Sequence, residues 1–306
     1  MLVHDFDPEI VTARSLSLYW YGAVYTLGFL GFLTWFAMRR NRLGLSGADV
    51  LDLCILLAAL ILVGGRLFDI LVYEFDYYRE NPRHMIDWWR GGMASHGVLL
   101  GALAAVVVFS VAHRKPALVI LDEMVVPGVF LLAVGRLGNF IEGGVVGGVT
   151  ALPWGVLYPD LEGPRHPVAL YESVKNFAIL PILALSLRRW PAGTGVTLSL
   201  FVFLYAALRF AVDQLRDYEA TWLGIGTGQW FNLGMAAAGL FLLALFRIRP
   251  LSPPRPFPAR PHAPGFLRIA LMAFLIAYPL GIPTSWTLAN IEEMRRERLE
   301  NPAEAN

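Results

Sequence analysis

Arginine, histidine and acid residues recur in this chain inside stretches that are otherwise apolar, and their types suit the handling of an anion. Arg136 and Asn139 lie in GRLGNFIEGGVVGG (135–148), together with Glu142 and Gly147. A guanidinium presents a planar fork of donors that fits phosphate, and glycines let backbone amides approach a ligand closely. Close helix packing through small residues is the competing account of those glycines, although it does not call for Arg136 or Asn139. In YAALRFAVDQLR, Tyr205, Arg209, Asp213 and Arg216 follow at steps of four, four and three, which puts them on one helix face. Two arginines bracketing one acid leave net positive charge for an anion. His96, in SHGVLLG, is the best-placed titratable base, since free imidazole ionises near neutrality. A satisfied structural histidine is the plainer alternative. Tyr171 and Glu172, in RHPVALYES (165–173), begin a helix behind Pro167, itself a common structural device. Tyr21, in Trp20-Tyr21-Gly22, is also explained by an interfacial aromatic belt. Together Arg136, Arg209 and Arg216, with His96 and Tyr21 nearby, describe a cationic pocket of the kind a phospholipid headgroup needs.

The elements that must hold these groups are membrane helices. Of the 306 residues 56% are hydrophobic and 16% charged, and mean hydropathy is +0.54, more apolar surface than one soluble core can hide. A net charge of +1 argues against a nucleic-acid partner. The single cysteine, Cys54, lies in an apolar run and reads as a small buried side chain; it rules out an internal disulfide and a multi-cysteine metal site. The other histidines and acids lack ligand spacing, so neither metal nor other cofactor is expected. At roughly 18 to 25 apolar residues per span, the sequence holds eight candidates: 19–38, 48–73, 93–112, 118–134, 168–187, 194–212, 230–246 and 266–283. Each of the first four is expected to close on charge or on a glycine-rich break. The fifth is the least uniform, with Tyr171, Glu172, Lys175 and Asn176 in its first two turns. The fold class is therefore all-α, a polytopic transmembrane helical protein.

Basic residues follow every odd span: Arg39, Arg40 and Arg42; His113, Arg114 and Lys115; Arg188 and Arg189; Arg247 and Arg249. Lysine and arginine near span ends stay in the cytoplasm, so the amino terminus, 74–92, 135–166 and 214–228 are expected outside, with every polar cluster near that face. The first seventeen residues lack the basic start and cleavage site of a signal peptide, so the first helix is expected to remain. Three parts follow: a core (1–249), a proline-rich cytoplasmic linker (250–264), PLSPPRPFPARPHAP, and an extra span with a charged tail (265–306).

At these residues the chain resembles the prolipoprotein diacylglyceryl transferases, in order and spacing, from about Tyr19 to Phe246. WYG (20–22) matches the first-helix motif, GGMASHGVLLG (91–101) is similar to GGMSFHGGLIG, and the signature GRxGNFxNxExxG is met at Gly135, Arg136, Gly138, Asn139, Phe140 and Gly147. HPVALYE resembles HPSQLYE, RFAVDQLR resembles RFxxEFxR, and IGTGQW resembles LSxGQ. Glu142 and Gly144 stand where the signature has asparagine and glutamate, Val98 replaces a glycine, and Asp213 replaces a glutamate with retained charge. The eighth span lies outside the family's usual seven.

The resemblance implies an enzyme of the bacterial inner membrane, with its active site facing the outer leaflet. There the lipobox cysteine thiol of a prolipoprotein attacks the glycerol carbon of phosphatidylglycerol, a diacylglyceryl thioether forms, and glycerol phosphate leaves. It also implies His96 as base and Arg136 and Arg209 as catalytic cations. Substrate-binding groups would be Tyr21, Asn139, Glu142, Gly147, Tyr171, Glu172, Asp213 and Arg216. A second reading is a phospholipid-binding relative that lost turnover with the signature glutamate. A transporter is disfavoured because the ionisable groups gather near one face and no repeat is visible. Because the motifs end before Pro250, a chain ending there is expected to stay active.

Overall fold

The computed structural model describes residues 2–13, 16–86, 93–159, 161–216, 223–249, 251 and 263–281. The tail from 282, most of the linker, and Gly91 and Gly92 of the histidine motif lie outside the described residues.

Among the described residues seven helices are long and apolar enough to cross a membrane: α1 (Trp20–Leu43), α2 (Gly47–Phe68, continued by a π-helical turn, Asp69–Tyr73), α4 (Ser95–His113), α5 (Ala117–Ile141), α6 (Val168–Arg189), α7 (Val196–Asp213) and α8 (Thr227–Ile248). Helices are forced here because each satisfies its backbone polar groups internally, which lipid cannot do. A short α3 (Phe75–Glu80) follows α2, and α9 (Phe266–Ala277) is extended by the 3-10 turn Tyr278–Gly281.

One boundary is corrected. The fourth span was expected to end at Val134 on a glycine-rich break, but α5 runs on through Gly135 and Gly138 to Ile141. The reason is packing against α1. A Cβ on Gly138 would stand 2.5 Å from Val24 Cγ2, and one on Gly135 would stand 3.0 Å from the Tyr25 ring, so these glycines let two helices close together without breaking either. The turn comes later, where Gly143 and Val145 adopt positive φ. The eighth apolar stretch, expected over 266–283, is helical over Phe266–Gly281, where the described residues end, and is shorter over those residues than the other seven.

Short strands add to the helical plan: β1 (Leu2–Val3), β2 (Glu9–Ala13), β3 (Leu16–Tyr19) and β4 (Val156–Leu157). β2 and β3 form a hairpin that feeds α1, and β1 pairs in parallel with β4. His4 locks that pairing through a 2.6 Å bond from its Nε2 to the Phe140 carbonyl and by stacking on Tyr158. Burial pushes the Tyr158 phenol up to about 12.

The pairs α2 with α4, α1 with α5, α5 with α6, and α7 with α8 carry the packing. One core cluster joins Phe32, Phe36, Leu53, Cys54 and Phe109; another joins Val129, Ile179, Leu183, Phe201 and Tyr205. Cys54 is fully buried. Alternation of direction brings the C-termini of α2, α5 and α7 and the N-termini of α4, α6 and α8 to one end of the bundle. Arginines in the last turns of α6 and α8 meet at the other end, where Arg189 and Arg247 both lie over the Trp190 ring.

Candidate active site

At the first of these ends the polar side chains form one continuous network across six helices, α2 and α4 to α8. Its centre is Glu172, in the second turn of α6 and fully buried. An acid suits that position because a helix N-terminus favours negative charge. Glu172 Oε2 receives Lys175 Nζ at 2.9 Å and Arg209 Nη1 at 3.0 Å, with Arg136 Nε at 3.9 Å. Arg136 is in the last turns of α5 and Arg209 in the last turn and a half of α7, where C-terminal carbonyls favour cations. Arg136 Nη1 donates to Asn139 Oδ1 at 3.2 Å, and Lys175 Nζ lies 4.5 Å from the Tyr205 ring centre.

Arg209 carries the network onward. Its Nε donates to Asp213 Oδ2 at 3.1 Å, and Arg216 Nη1 stands 3.8 Å from Asp213 Oδ1. Asp213 Oδ2 also accepts from Asn232 Nδ2 of α8 at 3.0 Å. Asn232 therefore turns its Oδ1 toward His96 Nε2, 3.3 Å away. A carboxylate accepts and cannot donate, so this chain of partners sets the imidazole tautomer: Nε2 carries the hydrogen and Nδ1 is the acceptor. Nδ1 meets the Tyr73 hydroxyl at 3.0 Å. Tyr73 ends the π-helical turn of α2, a local geometry common at functional sites.

Four cations thus surround two carboxylates, Glu172 and Asp213, at membrane depth. Arg136 and Arg216, at the rim, have side chains 17% and 16% accessible, against 5% for Lys175 and 8% for Arg209. The inner cations compensate the acids, and the rim guanidiniums sit at the longest ion-pair distances. Tyr21 closes another side: a Cβ on Gly138 would stand 3.3 Å from its ring, and it lies within electrostatic reach of Arg136 and of Glu142, a buried acid at the end of α5.

Of the residues singled out in the sequence, the fold therefore gathers His96, Arg136, Asn139, Glu172, Arg209, Asp213 and Arg216, with Tyr21 and Glu142 beside them. It does not bring Tyr171 or Gly147 into the ion-pair network. The Tyr171 hydroxyl accepts from Trp154 Nε1 at 2.8 Å and meets His166 Nδ1 at 3.3 Å, on the loop side of α6. Gly147 packs against that same loop: its N–H donates to the His166 carbonyl, and a Cβ there would stand 2.6 Å from Val168 Cγ2. Three network members went unassigned from sequence: Lys175, Asn232 and Tyr73. The signal for Lys175 was its burial cost in the fifth span, and for Asn232 a lone amide in an apolar helix. Tyr73, at the end of a span, is indistinguishable in sequence from an interfacial aromatic.

Among the described residues no cluster of three or more histidine, cysteine or acid groups is arranged to hold a metal ion. The family model described as prolipoprotein diacylglyceryl transferase matches residues 8–245. Three curated relatives bear the name phosphatidylglycerol–prolipoprotein diacylglyceryl transferase. The protein of Geobacter sulfurreducens is 36% identical over 78% of this chain and 93% of its own length. That of Polynucleobacter asymbioticus is 35% identical over 79% and 97%, and that of Nitrosomonas europaea 35% over 79% and 91%.

Proposed function

The chain belongs to the prolipoprotein diacylglyceryl transferase family, and from that premise we propose how its network carries out the transfer from phosphatidylglycerol to a prolipoprotein. It is a multi-pass membrane transferase. The acceptor atom is the thiol of the lipobox cysteine in the incoming signal peptide. Its sulfur attacks the glycerol carbon that bears the phosphodiester oxygen. An S–C bond forms, the C–O bond breaks with its electron pair passing to the phosphate, and glycerol phosphate leaves while the thioether stays in the membrane.

The observation that carries this reading is the excess of guanidinium over carboxylate around Glu172 and Asp213. Arg136 and Arg209 hold the phosphodiester and stabilise the charge that grows on the leaving phosphate. Such fixed cations are worth more in a dry site than in water. Glu172 and Asp213 keep the cations in place before substrate arrives. His96 takes a proton on Nδ1 from the Tyr73 hydroxyl, which in turn takes the thiol proton, since Nε2 already carries hydrogen toward Asn232. Asn139, Tyr21 and Arg216 orient the headgroup, and Glu142 is the acid nearest to the position where the family signature has its glutamate. Tyr171 and Gly147 shape the loop above the pocket.

The site end faces the outer leaflet of the inner membrane, because Arg39, Arg40, Arg42, His113, Arg114, Lys115, Arg188, Arg189, Arg247 and Arg249 all lie toward the opposite end. The test is transfer of labelled diacylglycerol from phosphatidylglycerol to a lipobox cysteine peptide by the purified chain, with a cysteine-to-serine peptide as control. Thiol-dependent transfer is expected. Lipid binding without transfer would overturn the enzymatic reading.

A further inference from the structure

Helix α9 lies beyond the family match, which ends at residue 245, yet it is built into the side of the bundle. We propose that α9 and its terminal turn form a positioning element for the active site, seating the start of α1 so that Tyr21 is held against α5 beside Arg136. This rests on the reading of Tyr21 as a pocket group.

The contacts follow one face of the element from end to end. Pro264, just before it, sits near the start of α2, where a Cβ on Gly47 would stand 3.5 Å from its ring. Arg268 Nε pairs with Asp52 Oδ1 of α2 at 2.6 Å. Four residues on, Met272 is buried in the core cluster with Phe32, Phe36 and Leu57. Four further on, the carbonyl of Ile276 accepts from Thr26 Oγ1 of α1 at 2.9 Å. That carbonyl is one of the last four of its helix, the groups an α-helix leaves to outside partners, and α1 supplies one. The steps of four keep Arg268, Met272 and Ile276 on one stripe. The other face exposes Phe266, Leu267 and Phe274 at 86%, 78% and 52%, as suits a helix with lipid on that side.

The terminal turn makes the contact that reaches the site. A Cβ on Gly22 would stand 1.9 Å from the carbonyl oxygen of Pro279, so two backbones meet there with no room for a side chain. Gly22 directly follows Tyr21, whose ring packs against Gly138 between Arg136 and Asn139. From Arg268 to Pro279 the element rises about 18 Å, which carries it from its contact with Asp52 toward one end of the bundle to its contact with Gly22 toward the other. α9 is thus a strut whose far end bears on the residue next to Tyr21. Motif positions alone lead to the expectation that a chain ending before Pro250 stays active; the strut leads to the opposite one.

The experiment compares Met272→Asp, Tyr21→Ala and the double variant in the full-length chain, with Phe274→Ala on the lipid face as control. A carboxylate in the core stripe unseats α9. Met272→Asp should lower transfer about tenfold, within the range that small misplacements of a positioning group produce, and Phe274→Ala should leave it unchanged. Because α9 acts through Tyr21, the double variant should be no slower than Tyr21→Ala alone, and a chain ending at Arg249 should match Met272→Asp. Full activity of Met272→Asp or of the shortened chain would overturn the proposal, as would losses that multiply in the double variant. If Met272→Asp does not fold, Thr26→Val decides by the same cycle, since it deletes only the bond to Ile276. An intact chain without transfer would instead sink the functional reading and leave the strut to be judged by the distance between labels on α1 and α9.

Discussion

The two ends of the bundle bury similar charged groups and solve the problem differently. At the basic end acids are matched locally. Glu123 takes Arg39 at 2.7 Å and the Trp35 indole at 3.2 Å, Asp49 takes His113 at 2.9 Å and the Ser46 amide, and Asp52 takes Arg268. Asp122 accepts the backbone amides of Gly193, Gly195 and Leu198, which pins the turn between α6 and α7. Each of these acids has its own partners there. At the site end two carboxylates are shared among four cations, so the burial cost is met only in part by the protein. Equal pairing stabilises a fold. Unequal pairing leaves positive potential for a substrate's phosphate to complete.

The largest effect expected from this contrast is on Arg136. Replacement by alanine should cut lipid transfer by roughly a thousandfold, the upper range for loss of one electrostatic stabiliser, with the protein still inserted in the membrane. Arg39→Ala at the basic end should lower thermal stability and leave transfer per folded molecule near the parent value. Equal loss of turnover in both variants would erase the distinction between the ends.

Next comes Glu172→Gln. It strips charge compensation from Lys175 and Arg209, both nearly inaccessible, and breaking a buried pair in this way costs about 3–5 kcal/mol. Thermal unfolding in detergent should show a clearly larger drop than for Glu123→Gln, whose partner Arg39 is 28% accessible and can rehydrate. Similar drops would mean that the site end is no more strained than the other.

A smaller effect, about 10- to 100-fold on turnover, is expected for Asn232→Leu, because His96 loses the group that fixes its protonated nitrogen. Lipid binding should persist, since no cation is touched. A variant with parental turnover would show that the tautomer is set elsewhere. The smallest effect is expected for Glu142→Gln, about tenfold or less, on the footing that this acid orients groups near Tyr21 and takes no part in proton transfer. Complete loss would raise Glu142 to the rank of the signature glutamate that Gly144 replaces.

Much of the architecture was legible from the chain. Seven of the eight apolar runs are long helices, because each must satisfy its own backbone and cross a layer of known thickness; the first and fourth run five and seven residues past their expected ends. The glycines of 135–148 were misread in part. The same residues that mark a break in a soluble protein here mark where α1 and α5 touch, and only the facing helix distinguishes the two cases. His96, Arg136, Arg209 and Asp213 stood out because an ionisable group inside an apolar span calls for a partner.

The sequence by itself determined the helical class, the spans and the motif residues, since all of these depend on local composition and period. The tertiary structure alone decided which partner each charge takes: Glu172 rather than Asp213 at the centre, Lys175 drawn in from the face of α6, Asn232 and Tyr73 on either side of His96, and the last helix braced against Gly22. Those contacts join residues up to 250 or more positions apart, and in lipid, where neighbouring helices gain no hydrophobic advantage from meeting, shape and hydrogen bonding between whole faces select them.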